Sequence, residues 1–217
     1  MNRKVSSRIM LTLLLISALT MTSPRFAAAV VDDVAVTNVI TFKTVSNASV
    51  SYTLAPFDVI YQNYSVSINA TVKNQGDQAE EFNVTAKYDN NIIDTVHVAS
   101  LGVGESKNVT FTWDTHGVPR GSYTINVTAV LAADVTPENN TKTYGPVKVT
   151  WLGDQDGNFT LNEDDFWYFC AYFITYYIPG KGYMDRSILY DFDENCKIDE
   201  DDFWIFCDTW IDYYKST

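Results

Sequence analysis

Oxygen-bearing side chains recur at one spacing in two places. Asp154, Asp156, Asn158, Asn162 and Asp165 fall at positions 1, 3, 5, 9 and 12 of a twelve-residue stretch, and Asp191, Asp193, Asn195, Asp199 and Asp202 fall at the same positions of a second. Alternate residues of a tightly curled loop point inward, so this spacing brings carboxylate and amide oxygens to a common centre. Six to eight oxygens are what a calcium ion takes. Thr160 and Lys197, at position 7, would add main-chain carbonyls, and Asn162 would act through water. Two calcium ions are therefore the expected cofactors. Position 6, where a calcium loop usually needs Gly for its positive φ, is Phe159 in one copy and Cys196 in the other, and position 12 is Asp instead of Glu.

The spacing belongs to a longer duplication. GDQDGNFTLNEDDFWYFC returns as YDFDENCKIDEDDFWIFC, with Asp165, Phe166, Trp167, Phe169 and Cys170 matching Asp202, Phe203, Trp204, Phe206 and Cys207. A solvated acidic turn has no reason to repeat its spacing; a calcium loop does. Each loop must then lead into a helix. The first, from about Glu163 to Tyr177, is apolar almost all round, while the second keeps Asp208 and Asp212 on one side. A helix with no polar face must be covered on several sides or presented to a partner.

Residues 151–217 thus resemble the dockerin type I module, two calcium loops each followed by a helix and lacking the entering helix. The resemblance implies that residues just before the last ligand, and residues about a turn and a half into each helix, contact a partner. Here these are Glu163, Asp164, Glu200 and Asp201, with Cys170 and Cys207 further along. The partner so implied is a cohesin-like or other surface protein, although this chain has acidic side chains where the best-known dockerins often carry small hydroxyl residues.

Ahead of the duplication the chain alternates with a period of two. Val66, Ile68, Ala70 and Val72 share one face, as do Phe82, Val84, Ala86 and Tyr88, then Val109, Phe111 and Trp113, then Tyr123, Ile125, Val127 and Ala129, then Val147 and Val149. Turns such as Asn74-Gln75-Gly76-Asp77 and Gly117-Val118-Pro119 separate them. With runs near 34–42 and 92–98, about seven strands are expected, an all-β immunoglobulin-like sandwich over residues 30–150. NATVKNQGDQAEEFNV, LGVGESKNVTFTW and GVPRGSYTINV resemble the CARDB family, named for cell-adhesion-related domains of prokaryotic surfaces, and imply surface location without implying a reaction.

Charge and targeting agree with this division. Residues 30–150 carry twelve acidic and seven basic side chains, a net of −5; residues 151–217 carry fifteen and four, a net of −11. Such a surface repels phosphate, so nucleic acid is excluded as a partner. Arg3, Lys4 and Arg8 before an apolar run, with Ala27-Ala28-Ala29 after it, mark residues 1–29 as a secretory signal peptide, leaving no membrane span after cleavage, with an uncleaved N-terminal anchor as the alternative. Cys170, Cys196 and Cys207 all lie in the duplicated part, and outside the cell any one pair is open to oxidation. Glycosylation sequons stand at Asn47, Asn63, Asn69, Asn83, Asn108, Asn126, Asn139 and Asn158, four of them expected on polar strand faces; Asn158 is expected to stay bare. Sequon density together with the family resemblance suggests an archaeal envelope.

Catalytic signatures are missing. There is no GxSxG, HExxH or phosphate loop, and His97 and His116 are isolated. The expected function is a secreted, non-catalytic binding and assembly protein whose sandwich attaches to other surface proteins through a calcium-stabilised module. Two alternatives are a self-assembling structural envelope subunit and a polysaccharide-binding accessory protein.

Overall fold

The computed structural model describes residues 29–49, 51–176 and 189–216, and the expected signal peptide lies outside them but for Ala29. Described residues from Val31 onward form one compact unit. Among the described residues, nine strands make two sheets, with a small helical part at the C-terminal end. One sheet has the order β2(Ser51–Leu54), β1(Val34–Ser46), β4(Ser65–Asn74), β7(Ser106–Asp114); the other runs β3(Val59–Tyr61), β9(Thr141–Thr150), β8(Gly121–Val130), β5(Glu80–Tyr88), β6(Asn91–Leu101). Pairing is antiparallel except between β3 and β9.

The alternating residues are the ones that fill the core. Val66, Ile68, Ala70 and Val72 of β4, Phe82, Val84 and Ala86 of β5, and Phe111 and Trp113 of β7 pack in one cluster with Ile125, Val127, Val147 and Val149. Tyr88 stacks on Trp113 at 4.9 Å between ring centroids, and Tyr123 meets Trp113 edge-on at 5.8 Å. The sheets contain two strands more than the expected seven because β2 and β3 are only four and three residues long. So short a run holds at most two periods of alternation and carries almost no signal.

Two helices follow the strands, α1(Glu163–Tyr176) and α2(Glu200–Ser216). Phe169 and Phe206, equivalent in the duplication, stack face to face at 4.5 Å and are both buried. Phe192, Tyr190 and Ile198 complete this second core, and Tyr61 of β3 enters it from the sandwich. No helix among the described residues is long and apolar enough to cross a membrane.

Candidate metal centre

The two duplicated stretches fold as matching loops. Asp154, Asp156 and Asp165 bring carboxylate oxygens within 4.8 Å of one another, and so do Asp191, Asp193 and Asp202. Position 6 has the left-handed conformation in both, with φ of 69° at Phe159 and 67° at Cys196. Position 4 matches too, at 64° for Gly157 and 60° for Glu194. For a residue with a Cβ this conformation costs about 1–2 kcal/mol, so the turn geometry persists in spite of the side chain and not because of it.

Hydrogen bonds hold the carboxylates in place. Asn158 N donates to Asp154 Oδ1 at 3.2 Å and Phe159 N to Asp154 Oδ2 at 2.8 Å; Gln155 N and Asn162 N donate to Asp165 at 2.9 and 3.1 Å. The second loop repeats the set, with Asn195 N and Cys196 N donating to Asp191 at 3.0 and 2.9 Å, and Phe192 N and Asp199 N to Asp202 at 2.6 and 2.9 Å. Asn158 and Asn195 each donate a side-chain amide to the position 3 carboxylate, at 2.8 and 2.7 Å.

Asp154, Asp165, Asp191 and Asp202 are buried, while Asp156 and Asp193 are exposed. Burial, the largest cause, raises Asp154 to about 6 and Asp202 to about 7, and it raises Asp165 also; the neighbouring carboxylates add to the shift in each case. Asn195 Oδ1 is buried and accepts no hydrogen bond among the described residues. Crowded carboxylates and a bare amide oxygen at position 5 are a donor set suited to a hard metal ion. Of the other expected ligands, Thr160 and Lys197 are exposed and Asn162 and Asp199 half-buried, with Asn162 Oδ1 and Asp199 Oδ1 accepting from Asp164 N and Asp201 N at 2.8 and 3.1 Å.

Both loops are seated on the sandwich. Thr150 Oγ1, at the end of β9, donates to Asp154, and Lys148 Nζ donates to Gly157 O at 2.7 Å. Tyr61 donates its hydroxyl to Leu189 O at 3.1 Å and accepts from Gln155 Nε2. Tyr64 donates to Phe192 O at 2.6 Å, and Lys43 pairs with Glu194. Burial pushes Tyr61 well above its ordinary value and Tyr64 up to about 12, which keeps both hydroxyls as donors. Trp151, half-buried after β9, meets the Arg120 guanidinium, 3.2 Å from its ring centroid, and Tyr213 of α2, edge-on at 5.1 Å. Spacing within the duplication could not reveal these contacts, because their sandwich-side partners lie up to 151 residues away along the chain.

The expected partner-contact residues divide by position. Glu163, Asp164, Glu200 and Asp201 are exposed; Cys170 and Cys207 are half-buried, and all three cysteines are free thiols. Cys196 is buried against Val45, Tyr52 and Leu54 of the sandwich, while Cys170 lies close enough to Cys207 to help raise its pKa after burial, the larger cause. Composition concealed a further exposed feature: Trp167 is 65% exposed and Trp204 62%, at equivalent places one turn beyond those carboxylates. Among the strand sequons Asn83 and Asn108 are exposed as expected, whereas Asn69 and Asn126 are half-buried and Asn69 Oδ1 is enclosed.

No curated protein matches the chain. Among solved structures it is similar to the CARDB domain of a Pyrococcus furiosus protein in complex with di-metal ions, at 23% identity and a TM-score of 0.39, over 54% of this chain and 94% of that one. It is also similar to residues 272–376 of a protein provisionally named a cell surface protein, from Methanosarcina acetivorans, at 26% identity and a TM-score of 0.39, over 55% and 90%. Residues 45–143, from the end of β1 into β9, match the CARDB family model, and this match supports a CARDB domain within the sandwich.

Proposed function

We propose that this chain is an extracellular, non-catalytic binding and assembly protein, in which a calcium-ordered pair of helices attaches a CARDB sandwich to another surface protein. The observation that carries the reading is the matched convergence of Asp154, Asp156 and Asp165 and of Asp191, Asp193 and Asp202, with the left-handed turn at position 6 of both loops. Calcium, through Asp154, Asp156, Asn158, Thr160, Asn162 and Asp165 and through Asp191, Asp193, Asn195, Lys197, Asp199 and Asp202, supplies the positive charge that crowded carboxylates lack. The loops in turn fix α1 and α2, and the helices present Trp167 and Trp204 beside Glu163, Asp164, Glu200 and Asp201. An aromatic centre with an acidic rim fits a protein surface of apolar core and basic edge.

Access favours a non-catalytic role. Asp154 and Asp202, the carboxyls with the most acid-base-like pKa values, are fully buried and out of a substrate's reach. His97 and His116 are exposed on the sandwich. Glycans, if added, suit Asn83 and Asn108 best.

The test is calorimetric titration of calcium into the chain from Val30 onward. Asp154→Asn together with Asp191→Asn is expected to remove two bound ions and the calcium-dependent rise in melting temperature; unchanged uptake sinks the reading. The self-assembling envelope subunit is favoured by one observation, the seating of both loops on the chain's own sandwich. Sedimentation that grows heavier with concentration, and is reversed by Trp167→Ala with Trp204→Ala, selects that second reading.

A further inference from the structure

Clefts where the helical part meets the sandwich differ in what they hold. In one, Lys43 stands over Tyr64, 5.7 Å from the ring centroid. In another, of about 250 Å³, the Arg120 guanidinium covers Trp151 at 3.2 Å. In both, an aromatic ring beside the loops is met by a basic side chain of the sandwich. A further cleft, of about 220 Å³, is lined by Gln155, Asp156, Tyr168, Tyr172, Leu189 and Tyr190. It gathers three aromatic rings and a carboxylate, and no Lys, Arg or His is among its lining residues.

Its walls are set by the helix and by the sandwich together. Tyr168 and Tyr172 are four residues apart on α1 and so share one of its faces. Tyr172 stacks on Tyr190 at 4.3 Å between ring centroids, and Tyr190 is buried 6.2 Å from Phe169 of the second core. That stack is a fixed wall, while Tyr168, 54% exposed, stands at the rim. Tyr61 of β3 holds the remaining side, donating its hydroxyl to Leu189 O at 3.1 Å and accepting from Gln155 Nε2. Asp156 accepts from Asn158 N and Nδ2 at 2.9 and 2.8 Å. These bonds place the carboxylate without neutralising it, and among the described residues it forms no ion pair. With a net charge of −11 over residues 151–217, the potential at the cleft is negative.

The face of a tyrosine ring is negative, and it attracts a cation most strongly when that cation sheds water easily. A quaternary ammonium group does so, since its charge is spread over methyl groups that pack on rings, whereas a bare lysine ammonium is compact and strongly hydrated. We infer that the cleft between Tyr168, Tyr172, Tyr190 and Asp156 binds an organic ammonium group, a quaternary one in preference. The rings take its methyl carbons and Asp156 faces its charge, as Lys43 and Arg120 are already taken by Tyr64 and Trp151. This site goes beyond calcium-ordered attachment and does not rest on it, because the tyrosines need no ion to attract a cation. Calcium in the first loop would engage Asp156 and bring positive charge to the same place, so the two cations compete.

The test is calorimetric titration of choline into the chain from Val30 to Thr217, in chelator and in saturating calcium, beside the neutral alcohol in which carbon replaces the quaternary nitrogen. Choline is expected to bind saturably in chelator and more weakly in calcium, and the alcohol to bind more weakly than choline by roughly threefold or more. Tyr172→Leu and Tyr168→Leu should each weaken choline by roughly threefold to tenfold. Tyr168→Leu, on an exposed ring, serves if Tyr172→Leu fails to fold. A trimethyllysine peptide titrated alongside identifies the source: a tighter peptide means a partner's side chain, tighter choline a free solute, and either upholds the site. Choline binding without calcium uptake also upholds it while the loop reading falls. Calcium uptake with no choline binding in either condition overturns it and leaves the loop reading intact. Equal binding of choline and the alcohol overturns it, because the cleft then reads apolar bulk and not charge. Choline binding that neither tyrosine variant weakens overturns it too, because the cation then sits elsewhere.

Discussion

The two loops are copies in their ligands and strangers in their seats. Positions 1, 3, 5 and 12 are Asp, Asp, Asn and Asp in both, and the left-handed residues at positions 4 and 6 agree within four degrees. Their contacts with the sandwich do not repeat. The first loop rests on β9 through Thr150 and Lys148. The second rests on Lys43 of β1 and on Tyr64, and it buries Cys196 against Val45. Even the carboxyl raised furthest differs, position 1 in the first loop and position 12 in the second. A common ion would hold the inward-facing residues alike, whereas each outward-facing residue answers to its own part of the sandwich.

Exchanging position 4 should break this comparison most severely. A Cβ on Gly157 would stand 2.8 Å from Lys148 Cδ and 3.1 Å from Val59 Cγ2. Gly157→Glu therefore costs about 2 kcal/mol or more in chemical denaturation, from left-handed strain and overpacking together. The reverse change in the second loop, Glu194→Gly, loses one ion pair and relieves the same strain, so its effect stays within about 0.5 kcal/mol. Equal losses would show that the seats are equivalent after all.

Proton linkage gives the next effect. In the metal-free fold Asp154 is raised to about 6 and Asp202 to about 7, against an unfolded carboxylate near ~4. The folded chain then holds protons that the unfolded chain has released, so stability declines as pH rises from about 4 and levels off above about 6 to 7. Melts in chelator are expected to be higher at pH 5 than at pH 8. Asp202→Asn flattens the upper part of that slope and Asp154→Asn the lower. Saturating calcium reverses the order, because protons and cation compete for the same oxygens.

The smallest effect sharpens the comparison. Tyr64→Phe removes the hydroxyl that donates to Phe192 O and should cost about 1 kcal/mol. It should weaken calcium at the second loop while leaving the first unchanged, measured as the ion lost on Asp191→Asn. Loss at both loops would mean that the seat acts on the module as a whole.

Much of this was legible in sequence, for physical reasons that also mark the limits. Strands β4, β5, β7 and β8 announce themselves because one face is buried and the other is not, while β2 and β3 are too short to alternate. The carboxylates of each loop fall within twelve residues, so spacing alone gathers them. Tyr64 and Phe192 meet only through tertiary structure, and no local pattern joins residues so widely separated. The exposed indoles of Trp167 and Trp204 were hidden by the apolar run that contains them, since only packing decides which aromatics go inside.

The junction at Trp151 has a mechanical consequence. Only Trp151, Leu152 and Gly153 separate the last residue of β9 from the first loop ligand, a span of roughly 10 Å at full extension. With the indole in contact with both Arg120 and Tyr213, those residues act as a bracket and not as a tether. Whatever the helices grip is held at a fixed bearing from the sandwich, and a pull on one is carried to the other without slack.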